Sequence, residues 1–213
     1  EYSREQTFLL SEGYLVQSSD GAQIQFRHQT LFDYTYSRLF FESGKEIEDD
    51  FMNVHQGLFV RGRLKILLVY LREVDSNKYI SIVRKIITSA NYRFHLKQLT
   101  ISLLGSFVNL KPQEDAVIRE TIIPDNKLSS VFLRTVYAIG PVKTLMRYIL
   151  SNGGFANCEW RYTERVIDLL NYIIEQNQQE GITILRQIEI EISQLEEDRL
   201  APVVRTICYL PIK

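Results

Sequence analysis

The chain has 213 residues, of which 45% are hydrophobic and 24% charged, and its formal net charge is -1. A chain of this length buries about two-thirds of its unfolded surface, enough for one large domain or for a small domain with a repeat array. The near-neutral charge gives no global positive field for nucleic acid, and the longest apolar run, 66–71, is far shorter than the ~20 residues of a membrane span.

The first element is predicted to be a helix that runs from Ser3 to about Glu12. Ser3 is a favoured N-cap residue, and Gly13 stands where helices commonly end in a residue with positive φ. The chain begins at Glu1 without a methionine, so we expect further residues upstream. No signal-like segment opens the sequence.

A β-hairpin is predicted directly after this helix. Asp20-Gly21 separates two β-prone runs, 14–17 and 22–26, and glycine tolerates the positive φ of a tight hairpin turn. Apolar and polar residues alternate along the second run, which indicates one buried face and one solvent-exposed face. A helix followed by such a hairpin is the outline of a winged helix.

A second helix is predicted to begin at Thr30, with Asp33 as its partner in a capping box. It continues to about Phe40 with apolar residues on most sides, so we expect it to be largely buried. The run 43–45 ends it, and an acidic stretch follows at 48–50.

From about residue 60 onward the sequence predicts only helices, separated by short breaks rich in turn residues. The predicted helices cover roughly 61–73, 77–90, 92–108, 112–123, 127–138, 141–152, 161–177, 179–195 and 199–210. Helix pairs recur every ~35–40 residues, as in HEAT-like and tetratricopeptide arrays, although neither the tetratricopeptide nor the ankyrin signature occurs. The fold prediction is therefore mainly α: a partial winged helix with one β-hairpin, followed by an irregular HEAT/TPR-like α-solenoid.

Three domains follow from this pattern. Residues 1–41 are predicted to be the C-terminal part of a winged-helix domain, 42–60 a connector, and 61–213 the helical-repeat region. The last predicted helix is not followed by an obvious polar capping repeat, so we expect the array to continue beyond the chain.

The sequence contains no recognisable catalytic or metal-binding motif. His28, His55 and His95 are not spaced as metal ligands, and Cys158 and Cys208 form no CxxC pair. Neither a phosphate-binding GxxxxGK[ST] or GxGxxG loop nor a GxSxG nucleophile turn occurs. We therefore predict no catalytic residue and no metal site. The two cysteines are interpreted as buried thiols of a cytoplasmic protein.

The first predicted repeats are locally basic. Phosphate binding requires that several of these side chains lie on one concave face. Ordinary solvated residues of a helix surface need no such arrangement. The ordinary surface is the preferred interpretation, and nucleic acid is not an expected partner. The residues are Arg61, Arg63, Lys65, Arg84, Lys85, Arg93 and Lys97.

The segment 26–34 is the most informative for function. There a predicted strand delivers His28 to the start of a helix, with Asp33 one and a half turns later. An imidazole at such a junction can donate a hydrogen bond to an anion, and the helix N-terminus adds a favourable dipole. The structural alternative is that His28 only ties the hairpin to the helix and Asp33 only caps it.

At this segment the sequence resembles the end of the nucleotide-binding module of STAND ATPases, the NACHT- and NB-ARC-type signalling switches. The resemblance is carried by Tyr14-Leu15-Val16, the Asp20-Gly21 hairpin and Phe26-Arg27-His28-Gln29-Thr30-Leu31-Phe32-Asp33-Tyr34. The stretches 59–79 and 93–97 resemble the helical region that follows the switch in bacterial members. Gln29 departs from the Met-His-Asp motif of the NB-ARC branch, which has aspartate there.

The resemblance implies a regulatory and sensor fragment without catalytic activity of its own. His28 would correspond to the histidine that senses the nucleotide phosphates. ATP or ADP with magnesium would be bound by an upstream ATPase domain that carries the Walker motifs. The helical repeats would recognise a protein ligand, and its binding would release the switch to form a homo-oligomer. Bacterial members often serve in anti-phage defence.

Two other functions remain open at this point. A plain HEAT-like protein-binding scaffold needs the helical array but no switch. A winged-helix DNA-binding module needs a basic recognition helix, yet the first helix carries Arg4 beside Glu5 and Glu12. The sequence therefore favours the STAND-type fragment over the scaffold, and the scaffold over the DNA-binding module.

Overall fold

The computed structural model describes residues 3–19, 21, 23–47, 58–176 and 178–192. The chain divides into two compact units, Glu1–Leu99 and Thr100–Lys213. The fold of the described residues is mainly helical, with one small two-stranded antiparallel sheet. The mainly helical class and the single hairpin are thus confirmed, whereas the winged helix, the α-solenoid and the boundaries at 41 and 60 stay predictions.

The first unit begins with helix α1 (Arg4–Ser11), and its predicted N-cap is confirmed. The Gln6 amide donates to the Ser3 hydroxyl at 3.2 Å, and the Ser3 amide donates to the Gln6 side chain at 2.9 Å. This reciprocal pair satisfies two amides that a helix start otherwise leaves unpaired. After the helix, Gly13 has a φ of 71°, as expected for a C-terminal glycine.

The hairpin consists of β1 (Leu15–Gln17) and β2 (Ile24–Phe26), which pair antiparallel with Leu15 opposite Phe26. The Arg27 amide extends the pairing by donating to the Tyr14 carbonyl at 3.0 Å. Ile24 and Phe26 are partly buried while Gln25 between them is exposed, which is the predicted alternation. The hairpin prediction is confirmed.

Helix α2 (Gln29–Glu42) begins one residue before the predicted start. His28 has an extended backbone and is the N-cap, so the predicted capping box of Thr30 and Asp33 is wrong. Asp33 is instead buried and accepts a hydrogen bond from the Gln29 side chain at 2.9 Å. The carboxylate thus lies within the packed structure and does not cap the helix.

Two further helices of the first unit, α3 and α4, follow α2 in the described part of the chain. Helix α3 (Leu58–Val74) packs against both α2 and α4 (Ser76–Thr88). Tyr70 on α3 makes edge contacts with Tyr34 and Phe41 of α2, at centroid distances of 5.9 and 6.2 Å. Helix α5 (Phe94–Ser106) runs across the division between the units.

The second unit is entirely helical in its described part. Its helices are α6 (Pro112–Val117), α7 (Asn126–Thr135), α8 (Ile139–Ser151), α9 (Gly154–Asn157), α10 (Trp160–Gln176) and α11 (Gln178–Ile192). Helix α10 packs against α8 and α11, and its apolar face is buried, formed by Val166, Leu169, Leu170 and Ile173. The predicted helix 199–210 lies outside the described residues, and the short α9 was not predicted.

The predicted helix 112–123 is interrupted by a π-helical turn at Ile118–Ile122. The Ile123 amide donates to the Ile118 carbonyl, five residues back, at 2.9 Å. Val117, Ile118, Ile122 and Ile123 are all buried. Residues five apart in a regular α-helix point about 140° apart. The wider π-turn reduces this angle, so that the pair Val117 and Ile118 and the pair Ile122 and Ile123 can face the same core.

No helix in the described ranges combines the length and the apolar character that a membrane crossing requires.

Candidate functional site

The candidate site is the junction at which the hairpin meets α2. Strand β2 ends at Phe26, and His28 follows with φ of -123° and ψ of 129°, an extended conformation that turns the chain into the helix. The His28 carbonyl accepts hydrogen bonds from the amides of Leu31 and Phe32 at 3.1 and 3.3 Å. Its side chain is exposed and makes no capping hydrogen bond. The imidazole therefore faces solvent at the N-terminus of a 14-residue helix.

The junction is suited to an anionic group. The first amides of a helix carry a partial positive charge, and an anion near them gains typically about 0.3–1 kcal/mol. An imidazole N–H is a further donor. His28, Gln29 and Thr30 are all exposed at this helix start, and the side-chain amide of Gln29 donates to Asp33.

Asp33 and His28, which the sequence placed in one candidate motif, have different surroundings. Asp33 is only 4% exposed, and the Ser37 hydroxyl donates to its backbone carbonyl at 2.7 Å. On α3, Gly62 lies so close that an added Cβ would stand 3.5 Å from the Asp33 carboxylate. Asp33 therefore belongs to the α2–α3 interface, whereas His28 faces solvent.

A continuous series of aromatic contacts links the hairpin to α3. The Phe26 ring on β2 meets the Phe32 ring on α2 edge-on at 5.7 Å. The guanidinium of Arg63 on α3 lies over Phe32 at 5.2 Å and over Tyr36 at 4.6 Å. The Arg63 Nε atom is buried without a hydrogen-bond partner in the described part of the chain. The rings and the aliphatic stem of Arg63 thus fix how the junction sits on the following helix.

The predicted basic residues of the first unit do not share one role. Arg63 lies in the α2–α3 interface, and Lys85 stands 4.0 Å from the Glu46 carboxylate. Desolvation lowers the pKa of His95, and the charges of Arg61 and Arg93 lower it further. The His95 Nε2 atom is buried without a hydrogen-bond partner among the described residues. The sequence analysis interpreted all of these residues as ordinary helix surface, whereas Arg63 lies over the rings of Phe32 and Tyr36 between two helices.

The remaining sequence candidates add no chemistry to the junction. In the described ranges, no group of three or more His, Cys, Asp and Glu side chains is placed to hold a metal ion. Cys158 is a partly buried free thiol whose pKa is raised by burial. His55 and Cys208 lie outside the described residues.

The sequence did not predict a groove in the second unit that exposes two tyrosines, Tyr137 and Tyr172. One signal was present: Tyr172 stands off the apolar face that Val166, Leu170 and Ile173 form on α10. A large apolar residue outside the core face of a helix is a candidate for a binding surface. Tyr137 lies between two helices, where no periodicity marks it.

No protein-family model matches the chain, and neither the curated proteins nor the solved structures contain a match. The exposed His28 at the N-cap of α2 is therefore the feature of the chain from which a function can be proposed.

Proposed function

We propose that this chain is the non-catalytic regulatory and sensor part of a STAND-type signalling ATPase. In this proposal His28 contacts the phosphates of the nucleotide held by the parent protein's ATPase domain, and the helical region binds a protein ligand. The observation that carries the proposal is the exposed His28 side chain at the N-cap of α2, delivered there by the hairpin. Anti-phage defence is the setting that the family resemblance suggests.

The chemistry at His28 is that of a reporter and not of a catalyst. Phosphate oxygens accept hydrogen bonds from an imidazole and are favoured at a helix N-terminus. The residues that bind magnesium and activate water for ATP hydrolysis would belong to the upstream domain, since this chain has no Walker motif. His28 would respond to whether a nucleotide phosphate is in place.

Coupling to the helical region would pass through the packing behind His28. Phe26, Phe32 and Arg63 form contacts from the hairpin through α2 to α3. A ligand bound to the helices would change the nucleotide contact only if it favours one arrangement of this interface over another. The interface is the element on which both events would act.

The test is ADP retention by the full-length parent protein, measured with labelled ADP and followed by size-exclusion chromatography. His28→Ala and His28→Asn both remove the imidazole, but asparagine is a preferred N-cap residue and preserves the start of α2. We expect both variants to bind ADP about tenfold more weakly, which corresponds to about 1.4 kcal/mol, and to form oligomers more readily. Gln25→Ala, an exposed change on β2, is the matched control and should retain wild-type binding.

The outcomes separate the family assignment from the role of His28. A wild-type parent that binds no nucleotide contradicts the STAND-type assignment and leaves a plain helical scaffold as the better account. Nucleotide binding that neither His28 variant changes keeps the assignment but makes His28 a structural residue of the junction.

A further inference from the structure

We infer that a groove in the second unit is the docking site for a basic, apolar segment of a protein partner. The groove has a volume of about 210 Å³, and we call it the aromatic groove; its lining includes Val108, Tyr137, Ala138, Ile139, Tyr172 and Ile173. The inference rests on the protein-binding part of the proposed function and specifies the chemistry of the partner.

Three large apolar side chains that are strongly exposed converge on this groove. Val108 is 62% exposed, Tyr137 52% and Tyr172 44%, although they come from three separate segments of the chain. Water contact with so much apolar surface is unfavourable, and such patches commonly mark interaction sites. Tyrosine is enriched at protein interfaces because its ring buries a large area and its hydroxyl can remain hydrated.

The backbone that carries Tyr137 is held against the end of α5. The amides of Tyr137 and Ala138 both donate to the Gly105 carbonyl, at 3.2 and 3.3 Å. A Cβ at Gly105 would stand 2.8 Å from the Thr135 carbonyl oxygen, and one at Gly140 would stand 2.7 Å from that of Phe107. The two glycines therefore permit a close approach of backbone segments at this side of the groove.

A second contact joins this segment to α10, which carries Tyr172. The guanidinium of Arg165 donates from Nη2 to the Val136 carbonyl at 2.7 Å. Tyr137 follows Val136 directly, and Tyr172 lies on the same helix as Arg165. The hydrogen bond between Arg165 and Val136 therefore links the two segments that carry the tyrosines. A surface that is ordered before binding loses less conformational entropy when a partner docks.

The charges beside Tyr172 select a basic partner. Asp168 and Glu175 are exposed and lie four residues before and three residues after Tyr172 on α10, on the same side of the helix. Arg165, seven residues before Tyr172, lies on the same side of α10 and keeps its positive charge while its Nη2 donates to the Val136 carbonyl, so two carboxylates and one guanidinium leave a net charge of -1 beside the ring. A Lys or Arg side chain placed over a tyrosine ring next to two carboxylates gains both cation–π and ionic attraction.

The size of the groove favours a peptide over a small-molecule cofactor. Small-molecule sites usually enclose about 300–1,000 Å³, which exceeds the volume found here. One or two side chains of a partner fit such a space, with an aliphatic residue between the tyrosines and an Arg or Lys next to it. The partner segment is therefore expected to alternate or cluster basic and aliphatic residues.

The test is peptide binding by the full chain, measured by fluorescence anisotropy. The probes are a labelled Ser-Arg-Leu-Leu-Arg-Ser peptide with blocked ends and its counterpart with Glu in place of both Arg. We expect the basic peptide to bind with a Kd on the order of 100 μM and the acidic one at least tenfold more weakly. Tyr172→Ala should weaken binding of the basic peptide at least tenfold, and Asp168→Asn should reduce both its affinity and its salt dependence.

Tyr14→Ala, at an exposed tyrosine of the first unit, is the matched control and should bind like wild type. Far-UV circular dichroism of every variant shows whether its fold is kept. Equal binding of both peptides, or binding that Tyr172→Ala leaves unchanged in a folded protein, overturns the inference. ADP retention by the parent protein tests the proposed function separately. The aromatic groove can prove not to bind the peptide while His28 still controls nucleotide binding. Conversely, the groove can bind the peptide while His28 has no effect on ADP.

Discussion

The guanidinium of Arg63 lies 4.6 Å from the centre of the Tyr36 ring, within the interface between α2 and α3. The same group also lies 5.2 Å from the Phe32 ring, so one charged side chain contacts two rings of the neighbouring helix. Cation–π contacts contribute about 0.5–2 kcal/mol depending on desolvation, and the aliphatic stem of arginine adds apolar burial. Arg63 is therefore a charged side chain of α3 that contributes to the packing of α2 on α3.

Replacement of Arg63 by alanine is predicted to loosen α2. The change removes both ring contacts and the packing of the stem, so we expect the local stability of α2 to fall by about 1–3 kcal/mol. Hydrogen exchange of peptides from 29–42 measures this directly. Lys65→Ala, at an exposed position of the same helix, is the control and should change exchange by less than a factor of about three. Unchanged protection of α2 in Arg63→Ala would contradict this role.

The two close glycines of the second unit are predicted to reject a side chain. Gly105→Ala and Gly140→Ala each place a Cβ less than 3 Å from a backbone oxygen, so we expect a loss of about 1–3 kcal/mol in the free energy of unfolding. Gly62→Ala is the opposite case, since its Cβ would meet the Asp33 carboxylate at an ordinary 3.5 Å and alanine favours a helix interior. That variant should gain about 0.5–1 kcal/mol.

Urea denaturation followed by circular dichroism measures all three glycine variants. Trp160, the single tryptophan, lies at the start of α10 and reports on the second unit by fluorescence. The glycine prediction fails if Gly105→Ala and Gly140→Ala unfold at the wild-type urea concentration.

The carboxylate of Asp115 is predicted to stabilise the second unit. It is largely buried and accepts hydrogen bonds from the Thr144 hydroxyl, from Arg147 Nη2 at 2.7 Å and from Arg119 Nε at 2.9 Å. Asp115→Ala leaves the buried Thr144 hydroxyl without this partner, so we expect a loss of about 2–3 kcal/mol. The loss should appear as an earlier urea transition of Trp160 fluorescence.

An exposed ion pair of the same unit provides the comparison for Asp115. Glu159 pairs with Arg161 at 2.9 Å, but its side chain is 63% exposed, and such pairs contribute about 0–1 kcal/mol. Circular dichroism should therefore place the Glu159→Ala transition close to that of wild type. If Asp115→Ala and Glu159→Ala lower the free energy of unfolding equally, the buried hydrogen bonds of Asp115 contribute no more to stability than an exposed ion pair.

The stability of the first unit is predicted to depend on the protonation of His95. Desolvation, with the charges of Arg61 and Arg93, lowers the pKa of His95 in the folded chain below its ordinary value of about 6.5. Below pH 6.5 the unfolded chain therefore binds a proton that the folded chain disfavours. Stability should fall as the pH decreases from 6.5 through the folded pKa, and this group should have no effect above that window.

A proton NMR titration of the His95 ring measures the pKa, with the signal assigned by its absence in His95→Gln. The wild-type midpoint should lie below 6.5, and Arg61→Ala should raise it because one repelling charge is removed. His95→Gln should also lose less stability than wild type between pH 7 and pH 5. A wild-type midpoint at or above 6.5 would contradict the prediction.

Much of the helical organisation was predictable because its boundaries depend on local chemistry. Ser3 and Gly13 mark the ends of α1 through capping and positive φ, and the structure uses both of them in that way. The N-cap of α2 was misplaced by two residues because Thr30 is the better capping residue by type. The extended backbone that leaves β2, however, makes His28 the N-cap.

The environment of the candidate site was less predictable, because burial depends on residues distant in sequence. Asp33 has the spacing of a capping residue, yet the approach of α3 at Gly62 places it in an interface. Likewise, Tyr137 and Tyr172 are 35 positions apart and share a groove only after the helices pack. Local sequence patterns therefore indicated single candidate residues, but they did not predict which of these residues contact one another in the folded chain.

The π-helical turn at 118–122 accommodates one residue more than a regular α-helical turn, since its hydrogen bond spans five residues and not four. Deletion of the exposed Glu120 would therefore convert it into a regular turn and leave α6 nearly in phase with the chain that follows it. Asp115 would keep its contacts with Thr144 and Arg147. We therefore expect related sequences to tolerate the loss of one residue at this turn while they retain the carboxylate at 115.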